Sequence, residues 1–125
     1  MIEVTYQMIV DGLHQAVRER GADYVYRTPP GAQVCLYWHP EAGEPGCIVG
    51  YVFHNLGVSK DYLILCNPSG APQLIAWLVD WGVISFPNEA EKILVSSLLT
   101  RVQSRQDEPK PWGDAVYGAL EEVNA

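Results

Sequence analysis

Cys35, His39, Cys47 and His54, with Cys66 further on, are the residues of this 125-residue chain best suited to metal or nucleophile chemistry. Thiolate and imidazole are the ligands zinc takes. The spacing argues against a structural zinc site, because there is no Cys-x-x-Cys pair and His54 lies two helical turns beyond Cys47. A free buried cysteine packs as a small hydrophobe, and that is the weightier reading here. No metal and no cofactor is expected. Cys47 also invites a reading as a nucleophile. It follows Pro45-Gly46 at an expected helix start, where the dipole lowers a thiol pKa. His39 would reach it across a loop, with Glu41 or Glu44 orienting the imidazole. Against this, no local cysteine-hydrolase signature is present, and burial in an apolar helix raises a thiol pKa. The chain reads more as a non-enzyme than as an enzyme.

A third group is Gln103, Gln106, Asp107 and Trp112, at the junction of two expected helices. Trp is over-used at binding hot spots, so a recognition patch is one reading. The preferred one packs Trp112 between the helices, with the polar groups tying the turn, because Trp112 falls on an apolar stripe. Trp77 and Trp81, four apart, read as core rather than as a platform for bases, which would need cations beside it. Gly-rich phosphate loops, Ser-centred elbows and His-Glu-x-x-His are missing.

The elements that must position these groups follow from periodicity. Residues 5–20 predict a helix with stripe Tyr6, Ile9, Val10, Leu13 and Val17, capped by Thr5 and stopped at Gly21. Residues 23–27 and 33–39, split by Thr28-Pro29-Pro30-Gly31, predict a hairpin. Val34, Leu36 and Trp38 would share one face of it, and Cys35, Tyr37 and His39 the other. Residues 39–46 read as a loop. Residues 47–56 predict a short helix, apolar nearly all round and therefore buried, with Gly50 marking close backbone packing. Residues 59–66 suit a helix or a strand equally. A helix over 72–81 buries Leu74, Ile75, Trp77, Leu78 and Trp81, and residues 83–86 link it to the next. The helix from Pro87-Asn88 to about Gln106 carries the stripe Ala90, Ile93, Leu94, Ser97, Leu98 and Val102. After the break at 107–110, the last helix (111–123) buries Trp112, Ala115, Val116, Ala119, Leu120 and Val123 and packs antiparallel on it. The expected architecture is one α+β domain over 1–125, mainly helical. A small β-hairpin (24–38) lies on a buried central helix, and an antiparallel helical pair closes the core.

Several of these segments together have a familiar order. A first helix ends in Gly21-Ala22-Asp23-Tyr24-Val25-Tyr26, and Cys35-x-Tyr37 follows. The run Pro45-Gly46-Cys47-Ile48-Val49-Gly50-Tyr51-Val52 leads to Leu56-Gly57-Val58, and Gln103-x-x-Gln106-Asp107 precedes Trp112. The whole resembles small uncharacterised proteins of actinobacteria and their bacteriophages. The resemblance carries no catalytic residues across. It implies an actinobacterial or phage setting and a small accessory protein rather than a metabolic enzyme.

Composition bounds the partners. The net charge of −7 is shared between the halves, leaving no basic face to neutralise phosphates, so direct nucleic-acid binding is not expected. An acidic nucleic-acid mimic that occupies a DNA- or RNA-binding protein is an alternative, but the acids are scattered along the chain. No stretch is apolar enough to span a membrane, no export signal opens the sequence, and the odd cysteine count suits a reducing compartment, so a cytoplasmic setting is expected, the host's if the chain is phage-encoded. The leading expectation is a protein–protein interaction module, in the phage setting a factor that binds and modulates a host protein. Four Trp and seven Tyr also suit a homodimer. Tyr24, Tyr26, Tyr37, Trp38 and Trp112 are the expected binding residues.

Overall fold

In the computed structural model, residues 1–28, 30 and 35–124 are described. The chain is mainly helical with a little strand. β1 (Ile2–Glu3) precedes α1 (Tyr6–Arg20), which Thr5 caps by accepting the Met8 N–H at 3.2 Å. β1 pairs in parallel with β4 (Ile84–Ser85), Ile2 opposite Ile84. The sequence reading has no strand at either place, since two residues are too short to show an alternating pattern. The buried face of α1 is Ile9, Gly12, Leu13 and Ala16, with Tyr6, Val10 and Val17 half-buried at its margins. The small residues turn the helix toward α2 (Ile48–Asn55): a Cβ on Gly12 would sit 3.0 Å from Val52 Cγ1.

The expected hairpin over 24–38 is corrected. The strands are β2 (Trp38–His39) and β3 (Glu44–Pro45), antiparallel, and they lie partly in the segment read as a loop. Residues 40–43 close the turn, with Gly43 at φ 68° donating its N–H to the His39 carbonyl at 2.9 Å. The positive φ suits a residue without Cβ. The ladder continues as Gly46 N–H to Tyr37 O and Cys47 N–H to Leu36 O. Residues 23–27 form no strand; the Tyr24 carbonyl accepts from Trp112 N–H, as that of Ala22 just before the segment does from Gly113 N–H. Val34, expected on the face of Leu36 and Trp38, lies outside the described residues. Cys35, Tyr37 and Trp38 are buried while Leu36 and His39 are half-buried, so the expected alternation does not hold.

α2 is the buried centre that the sequence predicts, with Ile48, Val49, Gly50, Val52 and Phe53 inside. α3 (Lys60–Leu65) settles the ambiguous segment as helix, capped by Ser59, whose Oγ accepts the Asp61 N–H. α4 (Ala71–Asp80) buries Ala71, Leu74, Ile75 and Leu78. Trp77 is only half-buried and Trp81 is exposed, contrary to the expected stripe. Four aliphatic side chains already fill that side of the core. α5 (Glu89–Asp107) starts at Asn88, which accepts the Glu91 N–H at 2.9 Å. Its buried face is Val95, Leu98, Leu99, Val102, Gln103 and Gln106, so only Leu98 and Val102 of the expected stripe are inside, and Ile93 and Leu94 are exposed. The true face runs on through two glutamines, which an apolar count passes over. α6 (Trp112–Val123) lies antiparallel to α5. Gln106 meets Trp112 at the junction, and Arg101 and Arg105 meet Glu122 at the other end. Among the described residues no helix is long and apolar enough to cross a membrane.

Asn67, between α3 and α4, clamps the hairpin strand. Its Oδ1 accepts the Tyr37 N–H at 2.6 Å and its Nδ2 donates to the Trp38 carbonyl at 2.8 Å. Asn67→Ala is expected to lower stability by about 1–2 kcal/mol, because a backbone N–H beside the core loses its acceptor. A urea titration checks this, and an unchanged midpoint contradicts the clamp.

Candidate functional site

The four residues weighed as metal ligands divide into separate contacts. Cys35 and Cys47 are fully buried. The neighbouring Cys47 thiol together with burial pushes the Cys35 thiol far above the ordinary thiol range. His39 Nε2 lies 3.0 Å from the Tyr26 hydroxyl, which also accepts the Leu36 N–H at 3.1 Å. His54 packs edgewise on Trp38, ring centroids 5.2 Å apart. Cys66 is buried by itself, which raises its thiol to about 11. Among the described residues no group of three or more His, Cys, Asp or Glu is placed to hold a metal ion. The expected relay from Glu41 or Glu44 through His39 to Cys47 is not assembled: the imidazole is held by Tyr26, and no carboxylate bonds it among the described residues.

Gln106, the residue read as a turn-tying group, turns out to join three elements. Its Oε1 accepts the Ile48 N–H at 2.8 Å and the Trp112 Nε1–H at 3.1 Å. Its Nε2 donates to Asp107 Oδ1 at 3.0 Å, which fixes which end of the amide faces inward. One of the unpaired N–H groups that every helix start leaves is thereby satisfied at the head of α2. Gln103 does similar work, donating to the Ser69 carbonyl at 3.2 Å, where the Tyr37 hydroxyl also donates at 2.5 Å. Burial pushes the Tyr37 hydroxyl up. The group is an internal brace, and the reading that packs Trp112 between the helices agrees with its full burial.

Of the five aromatics expected at a binding surface, Tyr26, Tyr37, Trp38 and Trp112 are buried and Tyr24 is half-buried against Trp112. Their exposure is corrected: the hairpin, the loop before it and the head of α6 face the core, and the polar tips of Tyr26, Tyr37 and Trp112 find internal partners. The exposed aromatics lie elsewhere: Tyr117 stands by itself on α6 at 59% exposure, beside His14, and the others gather on α3 and α4. Trp81 at the end of α4 is 43% exposed, and Tyr62 and Leu65 on α3 are 36% and 65% exposed. Trp77 and Trp81 stack with rings within 8° of parallel and centroids 6.2 Å apart, and Tyr62 lies 5.9 Å from Trp81. The three rings form a ladder across two helices, with Trp81 in the middle. The sequence carries one signal for it. Gln73 and Asp80 lie on the same side of the helix as Trp77, one turn before and after it, and mark that row as the wet edge.

No protein-family model, curated protein or solved structure matches this chain.

Proposed function

We propose that the chain is a non-enzymatic protein–protein interaction module that engages its partner through the Tyr62–Trp81–Trp77 ladder. The observation that carries this reading is the contiguous exposed aromatic surface, since large side chains left outside a well-filled core mark binding sites. Aromatic residues are also the ones that dominate interface energetics. The resemblance to small proteins of actinobacteria and their phages supplies the setting: a phage-encoded factor that binds and modulates a host protein in the host cytoplasm. The cysteine chemistry favours the same side, because Cys47 faces Cys35 in the core instead of a histidine at the surface. Nucleic acid is disfavoured as a direct ligand, since the net charge is −7 and three of the eight Lys and Arg residues pair with Glu122 and Glu108.

Trp81→Ala tests the reading. Its side chain is outside the core, so the melting midpoint should correspond to a stability change within about 1 kcal/mol. Immobilised wild-type chain should retain a protein from an actinobacterial lysate that the variant loses by about tenfold or more, the usual weight of a central aromatic anchor. Identical capture by wild type and variant sinks the proposal.

A further inference from the structure

We infer that the ladder receives a basic, arginine-bearing segment of the partner; this rests on the reading of that face as the interaction surface and names its chemistry. An aromatic ring presents a negative face, and a guanidinium stacks on it better than an ammonium does. Two exposed carboxylates flank the rings along the chain. Asp61 precedes Tyr62 and stands one turn before Leu65, while Asp80 precedes Trp81 and stands one turn after Trp77. Both are exposed, and neither forms an ion pair among the described residues. Lys60 is the single cation of α3 and α4, and it sits at the start of α3.

The chain shows the same chemistry satisfied within itself. Arg20 lies over the rings of Tyr24 and Tyr51 at 5.3 and 5.2 Å, and the Tyr51 hydroxyl donates to Glu19 at 2.6 Å. There, two aromatic faces hold a guanidinium, and Glu19 bonds the hydroxyl of one of those rings. At the ladder the faces and carboxylates are present without the cation. A second copy of this chain fits poorly, because a symmetric contact sets the same patch on both sides and so brings two sets of Asp61 and Asp80 together with no cation of the ladder helices but Lys60 to offset them.

The test titrates the full chain, followed by tryptophan fluorescence and calorimetry, with three decapeptides alternating glycine with arginine, lysine or glutamate. The arginine peptide should bind, the lysine peptide about threefold or more weaker, and the glutamate peptide not at all. Trp81→Ala and the pair Asp61→Asn with Asp80→Asn should each weaken the arginine peptide by about three- to tenfold. Binding of the arginine peptide should also fall as salt rises. Equal binding of arginine and glutamate peptides, or arginine binding indifferent to Trp81→Ala, overturns the inference. So does self-association that Trp81→Ala abolishes, which would make a second copy the occupant. If lysate capture depends on Trp81 while no peptide discriminates by charge, the interaction module stands and its basic partner falls. If neither depends on Trp81, both fall.

Discussion

Gln106→Leu should lower the stability of the fold by about 2–6 kcal/mol, since two buried donors each lose their acceptor at about 1–3 kcal/mol. The donors are the Ile48 N–H at the head of α2 and the Trp112 indole N–H at the head of α6. Leucine fills much of the same space and suits a helix, so hydrophobicity and propensity alone favour the variant. The hydrogen bonds are what oppose it. Gln106→Glu separates the two contributions. It keeps acceptor oxygens in place but sets a second carboxyl beside Asp107 in a buried site. Burial and the like charge raise the folded-state pKa of that carboxyl above its unfolded value, so the folded chain binds an extra proton. Its stability is therefore highest in acid and declines as pH rises through the carboxylate range. Urea titrations of wild type and both variants at several pH values decide the matter. A Gln106→Leu midpoint at or above wild type would show that the brace is dispensable.

Gly50→Ala is expected to cost about 3 kcal/mol or more, at or beyond the top of the usual range for overpacking. An added Cβ would stand 2.2 Å from the Tyr37 carbonyl oxygen and 2.7 Å from its C and Cα. All three atoms are backbone, so no rotamer change can make room. Either α2 lifts from the hairpin strand or that strand moves, and Asn67 pins the strand from its other side. Intrinsic helix preference pulls the opposite way, favouring alanine by about 1 kcal/mol. The sign of the measured change therefore tells which effect governs the site. Thermal and urea unfolding of the single variant provide it, and a stabilised variant would mean that the strand and the helix do not approach as described.

Long periodic segments were legible in the residues. The helices over 6–20, 48–55, 71–80, 89–107 and 112–123 all follow from apolar spacing and end signals, and Gly50 announces its close approach by interrupting an apolar run. The antiparallel pair α5 and α6 follows from a short connection. What failed has common physical causes. β1 and β4 are two residues each, below the length at which any period exists. Residues 23–27 look like a strand because Tyr and Val prefer one, yet the Tyr24 carbonyl serves the start of α6, a partner about ninety residues away that no local pattern reveals. The face of α5 was misread because Gln103 and Gln106 are polar and buried, and burial of an amide depends on donors supplied by other elements. The candidate site inverted for a related reason. Tyr26, Tyr37 and Trp38 carry polar tips that suggest a surface, but internal partners or packing hold them inside. Trp77 and Trp81 seem core by size, but smaller aliphatic neighbours had already closed that side.

The carbonyls of Ala22 and Tyr24 that receive the first amides of α6 have a consequence for biosynthesis. α6 docks against residues about ninety positions earlier in the chain, so during synthesis the slot beside Ala22 and Tyr24 stays unfilled until residues 112–123 have left the ribosome. Local helices can form early, but this closure waits for two distant segments to meet, and a nascent chain stalled before Trp112 presents that slot to chaperones and proteases.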